Sequence, residues 1–284
     1  MSEQIFWLAS YPKSGNTWTR SFIKAVLGIE EDPESDIDIN HLATGQIASS
    51  REWVSAGLGF DISELSHDEV DNLRPAAYRF LNSRMQEPGY HKVHDAFTLT
   101  PKGEPLFPHE ATRGALYIVR NPLDVAVSFA NHMNSSIDKS LKRMGQADFS
   151  LCGQDRCQAN QLRQWLFSWS EHVRSWQQSG LPVKLVRYED MRQEPLTTFT
   201  GIAEFLGLPS DAQQVSAALK LCDFERLKEK EQTSGFREKP ARANSFFRKG
   251  MVGDWKGTLT EEQVAAIISD HRSMMIKLGY EVDF

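Results

Sequence analysis

Tyr11-Pro12-Lys13-Ser14-Gly15-Asn16-Thr17-Trp18 lies between the apolar run Ile5-Phe6-Trp7-Leu8-Ala9 and a run in which Trp18, Phe22, Ile23 and Val26 recur at helical spacing. The first run reads as a short buried strand and the second as an amphipathic helix, so the stretch between them is a strand-to-helix turn. At such a turn the free N–H groups of the new helix point outward, its dipole favours negative charge, and a glycine lets an anion approach the backbone closely. Gly15 occupies that place, Lys13 adds a mobile full charge, and Ser14 and Thr17 add hydroxyl donors. The turn is a candidate phosphate cradle, with Trp18 offering a flat face to a base. The lysine comes before the glycine, so this is not the G-x-x-x-x-G-K-[ST] loop, whose lysine follows its second glycine.

Around this turn, 284 residues with 40% hydrophobic content can fill one large core, and no Pro/Gly/Ser-rich linker divides them. A single domain over residues 1–284 is expected. The first strand begins by about Ile5, leaving no room for a signal peptide, and no stretch is long and apolar enough to span a bilayer. The expectation is a cytoplasmic protein with no membrane partner. The net charge of −6 argues against a broad nucleic-acid surface but suits a small anionic ligand, and basic residues gather from Arg237 to Lys249. Cys152, Cys157 and Cys222 lack paired or zinc-type spacing, so they read as free thiols, with neither a disulfide framework nor a metal.

Further along, Glu30 to Phe60 reads as irregular connection. Ser66 with Glu69 three residues later is a capping-box pattern, and Val70, Leu73, Ala77, Phe80 and Leu81 predict a helix ending near Pro88-Gly89. Tyr90-His91-Lys92-Val93-His94-Asp95 reads as a strand on which Lys92 and His94 share a face, with His94 at the carboxyl end where open α/β sheets bind ligands. Gly114 to Val119 is the strongest buried-strand signal. It leads into Arg120-Asn121-Pro122, with Asn121 an N-cap and Pro122 at the first helical position. Ile137 to Cys157 reads as an exposed excursion, and Leu162, Trp165, Leu166, Trp169, Val173 and Trp176 as one helical face packed in the core. Val183 to Arg187 is another strand closed by Tyr188-Glu189-Asp190-Met191, and two amphipathic helices cover Leu196–Leu206 and Ala212–Leu221.

Several of these stretches resemble, in chain order, the cytosolic-type sulfotransferases that use 3′-phosphoadenosine 5′-phosphosulfate (PAPS) as donor. The first loop resembles their 5′-phosphosulfate loop, with Asn16 in place of a threonine often found there. The Lys92-x-His94 pair is similar to their catalytic strand, and Arg120 with Ser128 to their 3′-phosphate pair. Tyr188 stands where a Tyr-Glu-Asp-Met turn reaches the adenine. Phe224 stands where a phenylalanine stacks on it, although Cys222-Asp223 replaces that element's Thr-Ser. Arg248-Lys249-Gly250-Met251-Val252-Gly253-Asp254-Trp255-Lys256 resembles their carboxyl-terminal signature over the 3′-phosphate.

The resemblance implies an α/β, P-loop-like three-layer domain whose central, mostly parallel sheet is flanked by helices. It implies transfer of a sulfuryl group from PAPS to a hydroxyl or amine of a small-molecule acceptor, with PAP as product and no metal. Its catalytic set would be His94 as general base, Lys13 on the leaving phosphate, Lys92 and Ser128. Lys13, Ser14, Gly15, Asn16, Thr17, Trp18, Arg120, Ser128, Tyr188, Phe224, Arg248, Lys249 and Gly250 would hold the nucleotide. A P-loop-type nucleotide kinase would require the other lysine order and a magnesium-binding carboxylate at a strand end. A non-catalytic PAP- or PAPS-binding protein could do without the base. The sequence leaves the acceptor open, and equally whether the chain is a monomer or a homodimer. The stretch from Gly235 to Gly250, basic and without a sustained apolar period, is expected to be a lid ordered by nucleotide.

Overall fold

The computed structural model describes residues 3–31, 36–42, 45–154, 160–239 and 245–282. In chain order its elements are β1 (Ile5–Ser10), α1 (Asn16–Glu31), α2 (Arg51–Leu58), α3 (His67–Arg84), β2 (Gly89–Val93), β3 (Thr112–Val119), α4 (Pro122–His132) and α5 (Ile137–Gly145). There follow β4 (Ser150–Leu151), β5 (Gln164–Trp165), α6 (Trp169–Gln177), β6 (Val183–Arg187), α7 (Tyr188–Gln193), α8 (Pro195–Leu206), α9 (Ala212–Leu221), α10 (Phe224–Ser234) and α11 (Glu261–Lys277). Four strands form the central parallel sheet in the order β2-β1-β3-β6, and helices flank it, which is the predicted α/β class. The register of β1 on β2 runs from Ile5 opposite Gly89 to Ala9 opposite Val93. β1 is buried along its whole length, which is why it reads as an unbroken apolar run.

The chain divides into two compact units. The first comprises Met1–Tyr11, Gly45–Tyr117 and Gln146–Leu185, and the second Pro12–Thr44, Ile118–Gly145 and Val186–Phe284. In the first unit, Trp7 is fully buried, packs at 4.9 Å on Phe107 and at 5.1 Å on Tyr78, and donates its indole N–H to the Thr112 hydroxyl at 2.9 Å. Beside this core Arg74, with no exposed surface, is held by Asp95 through two 3.0 Å bonds and by the Tyr78 hydroxyl at 2.9 Å. The α3 cap is the predicted capping box of Ser66 and Glu69. In the second unit, Asn121 accepts the Leu123 N–H at 3.0 Å and caps α4 with Pro122 in its first turn, also as predicted. Phe22 and Trp18 of α1 pack on Phe199 of α8, at 4.7 and 5.1 Å.

Several local expectations are corrected. The connection up to Phe60 contains α2, capped by Ser50 and closed by Gly59 at φ +78°. Eight residues bury only Trp53, Val54 and Gly57, too short a stripe for periodicity to reveal. The excursion after Ile137 contains α5, whose buried residues are only Ser140 and Met144, and β4, which pairs antiparallel with β5. The Leu162–Trp176 stripe is not one helix. α6 starts at Trp169 behind a Ser168–Glu171 capping box, and before it burial alternates around β5, with Leu162, Gln164 and Leu166 buried between half-buried Arg163, Trp165 and Phe167. Tyr188 opens the helix α7 rather than a simple turn.

The basic stretch also has apolar anchors. Phe236 packs against Phe246 and Phe247 at 4.7 and 5.5 Å, and the Glu231 carboxylate accepts the N–H groups of Phe246 and Phe247 at 2.6 and 2.8 Å. Cys157 and Arg242 lie outside the described residues. Cys222 is buried, and burial pushes its thiol up to about 12.

Candidate active site

The second unit carries the strand-to-helix loop. Lys13 has φ +73°, a left-handed conformation that costs a non-glycine residue of order 1 to 3 kcal/mol, and strain of this kind clusters at functional sites. Its Nζ stands 4.0 Å from the centre of the Phe246 ring. Ser14 is fully buried and its hydroxyl has no hydrogen-bond partner among the described residues. Gly15 has φ +112° and its carbonyl accepts the Thr19 N–H at 3.1 Å, so it opens α1. A Cβ at Gly15 would lie 2.8 Å from Tyr188 Cδ2, so the glycine is also required by the ring packed on the loop. Asn16 and Thr17 form the buried first turn of α1. Trp18 meets Tyr188 edge-on at 6.0 Å, and the Arg192 guanidinium lies 5.7 Å from the Trp18 ring.

Arg120, at the end of β3, donates to the Lys13 carbonyl at 3.3 Å and to the Met251 carbonyl at 2.7 Å, and lies 4.5 Å over the Tyr188 ring. It therefore ties the first loop, the tyrosine and the carboxyl-terminal signature together. The backbone after it is held by Glu189, whose carboxylate accepts the Asn121 N–H and the Tyr280 hydroxyl, both at 2.9 Å. Burial pushes the Tyr188 hydroxyl up, leaving it a neutral donor, and it donates to the Gly250 carbonyl at 2.8 Å. Phe224 begins α10 and faces Gly250, where φ is +60° and a Cβ would sit 2.5 Å from the phenyl ring. Ser128 is half-buried on α4, one helical turn beyond Asp124.

Two carboxylates to which the sequence assigned no role organise this half of the site. Asp124, buried on α4, accepts the Gly253 N–H at 2.8 Å and the Trp255 N–H at 3.1 Å, and so pins the signature loop. Asp254 pairs with Arg248 and, at 2.5 Å, with Lys249. Burial works against its charge, but the bonds from Lys249 and Arg248 outweigh that and hold its carboxyl below the usual range. The basic pair is thus neutralised in part within its own loop. Both acids lie in or beside motifs already singled out, four residues from Arg120 and four from Gly250, and that spacing was the signal available.

His94 and Lys92 belong to the first unit. Lys92 lies on β2, opposite Leu8, and His94 follows the last residue of that strand. His94 Nδ1 is 2.8 Å from the Ser10 carbonyl and 3.4 Å from the Ser10 hydroxyl. A carbonyl only accepts, so in the neutral ring Nδ1 carries the hydrogen and Nε2 the basic lone pair. His91, on the other face of β2, is buried, stacks on Trp53 at 4.4 Å and bonds the Gln46 carbonyl at 2.9 Å; burial holds its pKa down to about 4. It is a core histidine.

A family model described as the sulfotransferase domain matches residues 3–279. The chain is 25% identical over 288 residues to flavonol 3-sulfotransferase of Flaveria bidentis, covering 94% of this chain and 82% of that protein. It is 28% identical over 268 residues to cytosolic sulfotransferase 10 of Arabidopsis thaliana, covering 92% and 74%. Among solved structures it resembles a mouse sulfotransferase complexed with PAP, at TM-score 0.62 and 22% identity over 97% of this chain and 84% of that one. It also resembles retinol dehydratase in complex with androsterone and PAP, at TM-score 0.61 and 18% identity over 100% and 83%.

Proposed function

The chain belongs to the sulfotransferase domain family, and from that premise we propose that it carries a sulfuryl group from PAPS to a hydroxyl or amine of a small-molecule acceptor. The observation that carries the reading is the Ser14 hydroxyl, buried without a partner beside Gly15 at the head of α1. A buried polar group in that condition is costly unless a ligand satisfies it, and a phosphosulfate oxygen is the acceptor that a helix N-terminus with a neighbouring lysine would hold.

In this reading the nucleotide supplies an electrophilic sulfur and a phosphate leaving group, and the chain supplies position and charge. Lys13, with the loop from Ser14 to Thr17, neutralises charge on the phosphate; an aimed donor of this kind is worth about 10²–10³ in rate. Lys92 adds a second cation. Arg120, Ser128, Arg248, Lys249 and Gly250 hold the 3′-phosphate, and Asp254 keeps the basic pair in place until that dianion competes for it. Trp18, Tyr188 and Phe224 form the adenine's surroundings. His94 takes the acceptor's proton on Nε2 while Nδ1 stays on the Ser10 carbonyl, a role worth about 10²–10⁴.

A relative named for a flavonol, and a similar structure holding androsterone, support small-molecule acceptors. No helix among the described residues is long and apolar enough to cross a membrane, and with relatives named cytosolic the cytoplasm is the proposed compartment. Calorimetry tests the donor site: PAP should bind far more tightly than AMP, because three basic side chains are assigned to the group that AMP lacks. Equal affinities would sink the assignment of Arg120, Arg248 and Lys249. Labelled PAPS offered with a panel of phenols, sterols and amines identifies the acceptor class. PAP binding with no turnover across that panel would leave a nucleotide-binding protein.

A further inference from the structure

Behind His94 the first unit holds a buried polar chain to which the reaction assigns no task. Tyr117 and His172 have no exposed surface. The Tyr117 hydroxyl lies 2.7 Å from His172 Nδ1, and His172 Nε2 lies 3.0 Å from the carbonyl of His94. Because a carbonyl only accepts, Nε2 carries the imidazole hydrogen, and Nδ1 takes the hydrogen of the Tyr117 hydroxyl. One tautomer satisfies both contacts. Burial holds the His172 pKa down to about 4, so the ring stays neutral and that tautomer persists at neutral pH.

The residues after His94 are held as firmly. The Asp95 carbonyl accepts the indole N–H of Trp176 at 3.0 Å, one turn beyond His172 on α6. The Asp95 carboxylate is bound by Arg74, and the Ala96 N–H donates to the Trp165 carbonyl at 2.6 Å. His172 holds the peptide of His94 itself, through its carbonyl. Without it that carbonyl would lose a donor in a part-buried setting, and turning the peptide toward another donor would swing the imidazole away from Ser10.

Resting on the reading of His94 as the base, we infer that His172, with its tautomer set by Tyr117, is a positioning residue for that base. It fixes the His94 peptide so that Nδ1–H remains on the Ser10 carbonyl and Nε2 is the nitrogen presented to the acceptor. Losing that placement costs turnover without touching the nucleotide; a misplacement of about 1 Å is worth up to about 100-fold.

Long-range ¹H–¹⁵N spectra of the imidazoles in the full chain read this without an acceptor, the His94 signals being those that vanish in His94→Ala. The wild type should show the Nδ1–H tautomer. His172→Leu should show a mixture. His172→Gln, whose amide can reach the same carbonyl, should restore the wild-type pattern. PAP affinity should be unchanged in each. If His172→Leu does not fold, Tyr117→Phe, which removes only the hydroxyl, decides by the same spectrum. A wild-type His94 pattern in the folded variant overturns the inference.

With an acceptor from the PAPS panel, His172→Leu should lose about 10- to 100-fold in turnover and cost nothing further in a His94→Ala background. Independent, multiplying losses overturn it. Full turnover in His94→Ala would remove the base assignment itself. A dead His94→Ala beside an unmoved His94 ring in His172→Leu would remove only the role of His172.

Discussion

Alanine at Gly250 and at Gly253, one at a time, separates the cost of backbone conformation from the cost of space. Both glycines are left-handed, at φ +60° and +80°, a conformation that costs an L-residue about 1–2 kcal/mol. At Gly253 a Cβ meets nothing within 4 Å, so Gly253→Ala should lose that amount and no more. At Gly250 the Cβ falls 2.5 and 2.6 Å from two carbons of the Phe224 ring, where carbons normally rest about 3.5–4.0 Å apart. Ring or backbone must withdraw by roughly 1 Å. The backbone is restrained by the Tyr188 hydroxyl on the Gly250 carbonyl, so overpacking adds about 1–3 kcal/mol. Urea unfolding should therefore show a loss of about 2–5 kcal/mol for Gly250→Ala, at an unchanged slope. If Phe224 stacks on the adenine, its displacement should also weaken PAP by about 1–3 kcal/mol, roughly 5- to 150-fold, while Gly253→Ala binds nearly as the wild type. Equal stability losses in the two variants would refute the steric argument. A Gly250→Ala protein that is less stable but binds PAP normally would take Phe224 out of the base site.

Three further outcomes are expected. His91 and His172 titrate at about 4 when folded and near 6.5 when unfolded, so between those values the unfolded chain binds the extra protons. Stability should be full above about pH 6.5 and fall toward pH 4, by about 2 kcal/mol per histidine from pH 7 to 5; urea unfolding at the two pH values should show half that dependence in His91→Phe. Asp95→Asn, which leaves Arg74 buried without its main counter-charge, should cost about 3–5 kcal/mol in the same assay; a loss below 1 kcal/mol would mean that Asp71 suffices. Glu231→Ala should cost about 2–4 kcal/mol and accelerate amide exchange at Phe246 and Phe247; unchanged exchange there would show that the aromatic contacts alone anchor the loop.

The legible parts of the fold were those written in neighbouring residues. The apolar runs Ile5–Ala9 in β1 and Gly114–Val119 in β3, the Ser66–Glu69 capping box and the Asn121-Pro122 helix start all stand where expected, because strand burial and capping are decided within a few residues. Elements with short or mixed apolar stripes were not legible. α2 and α5 bury too little to show a period, and the alternation from Leu162 to Phe167 sits next to a helical stripe that it resembles in composition. The loop from Lys13 to Trp18, with Arg120, Tyr188, Phe224 and the Arg248–Gly250 turn, was legible as a set of motifs, and all of these residues fall in one compact unit.

By itself, then, the sequence determined the strongly apolar strands and the capped helix starts, where a helix start able to cradle an anion would lie, and the order of the motifs that mark the family. The tertiary structure decided the partners. Arg120 reaches two backbone carbonyls and the Tyr188 ring; Asp124 grips the signature loop from 129 and 131 residues away; Asp254 partly neutralises the basic pair beside it; and His172 reaches the His94 carbonyl across 78 residues. None of these pairings follows from periodicity, and spacing could at most point to Asp124 and Asp254 as candidates. Helix and strand patterns depend on contacts a few residues apart, whereas the state of a charge or a tautomer depends on which distant groups burial brings within hydrogen-bond reach, and on how little water remains around them.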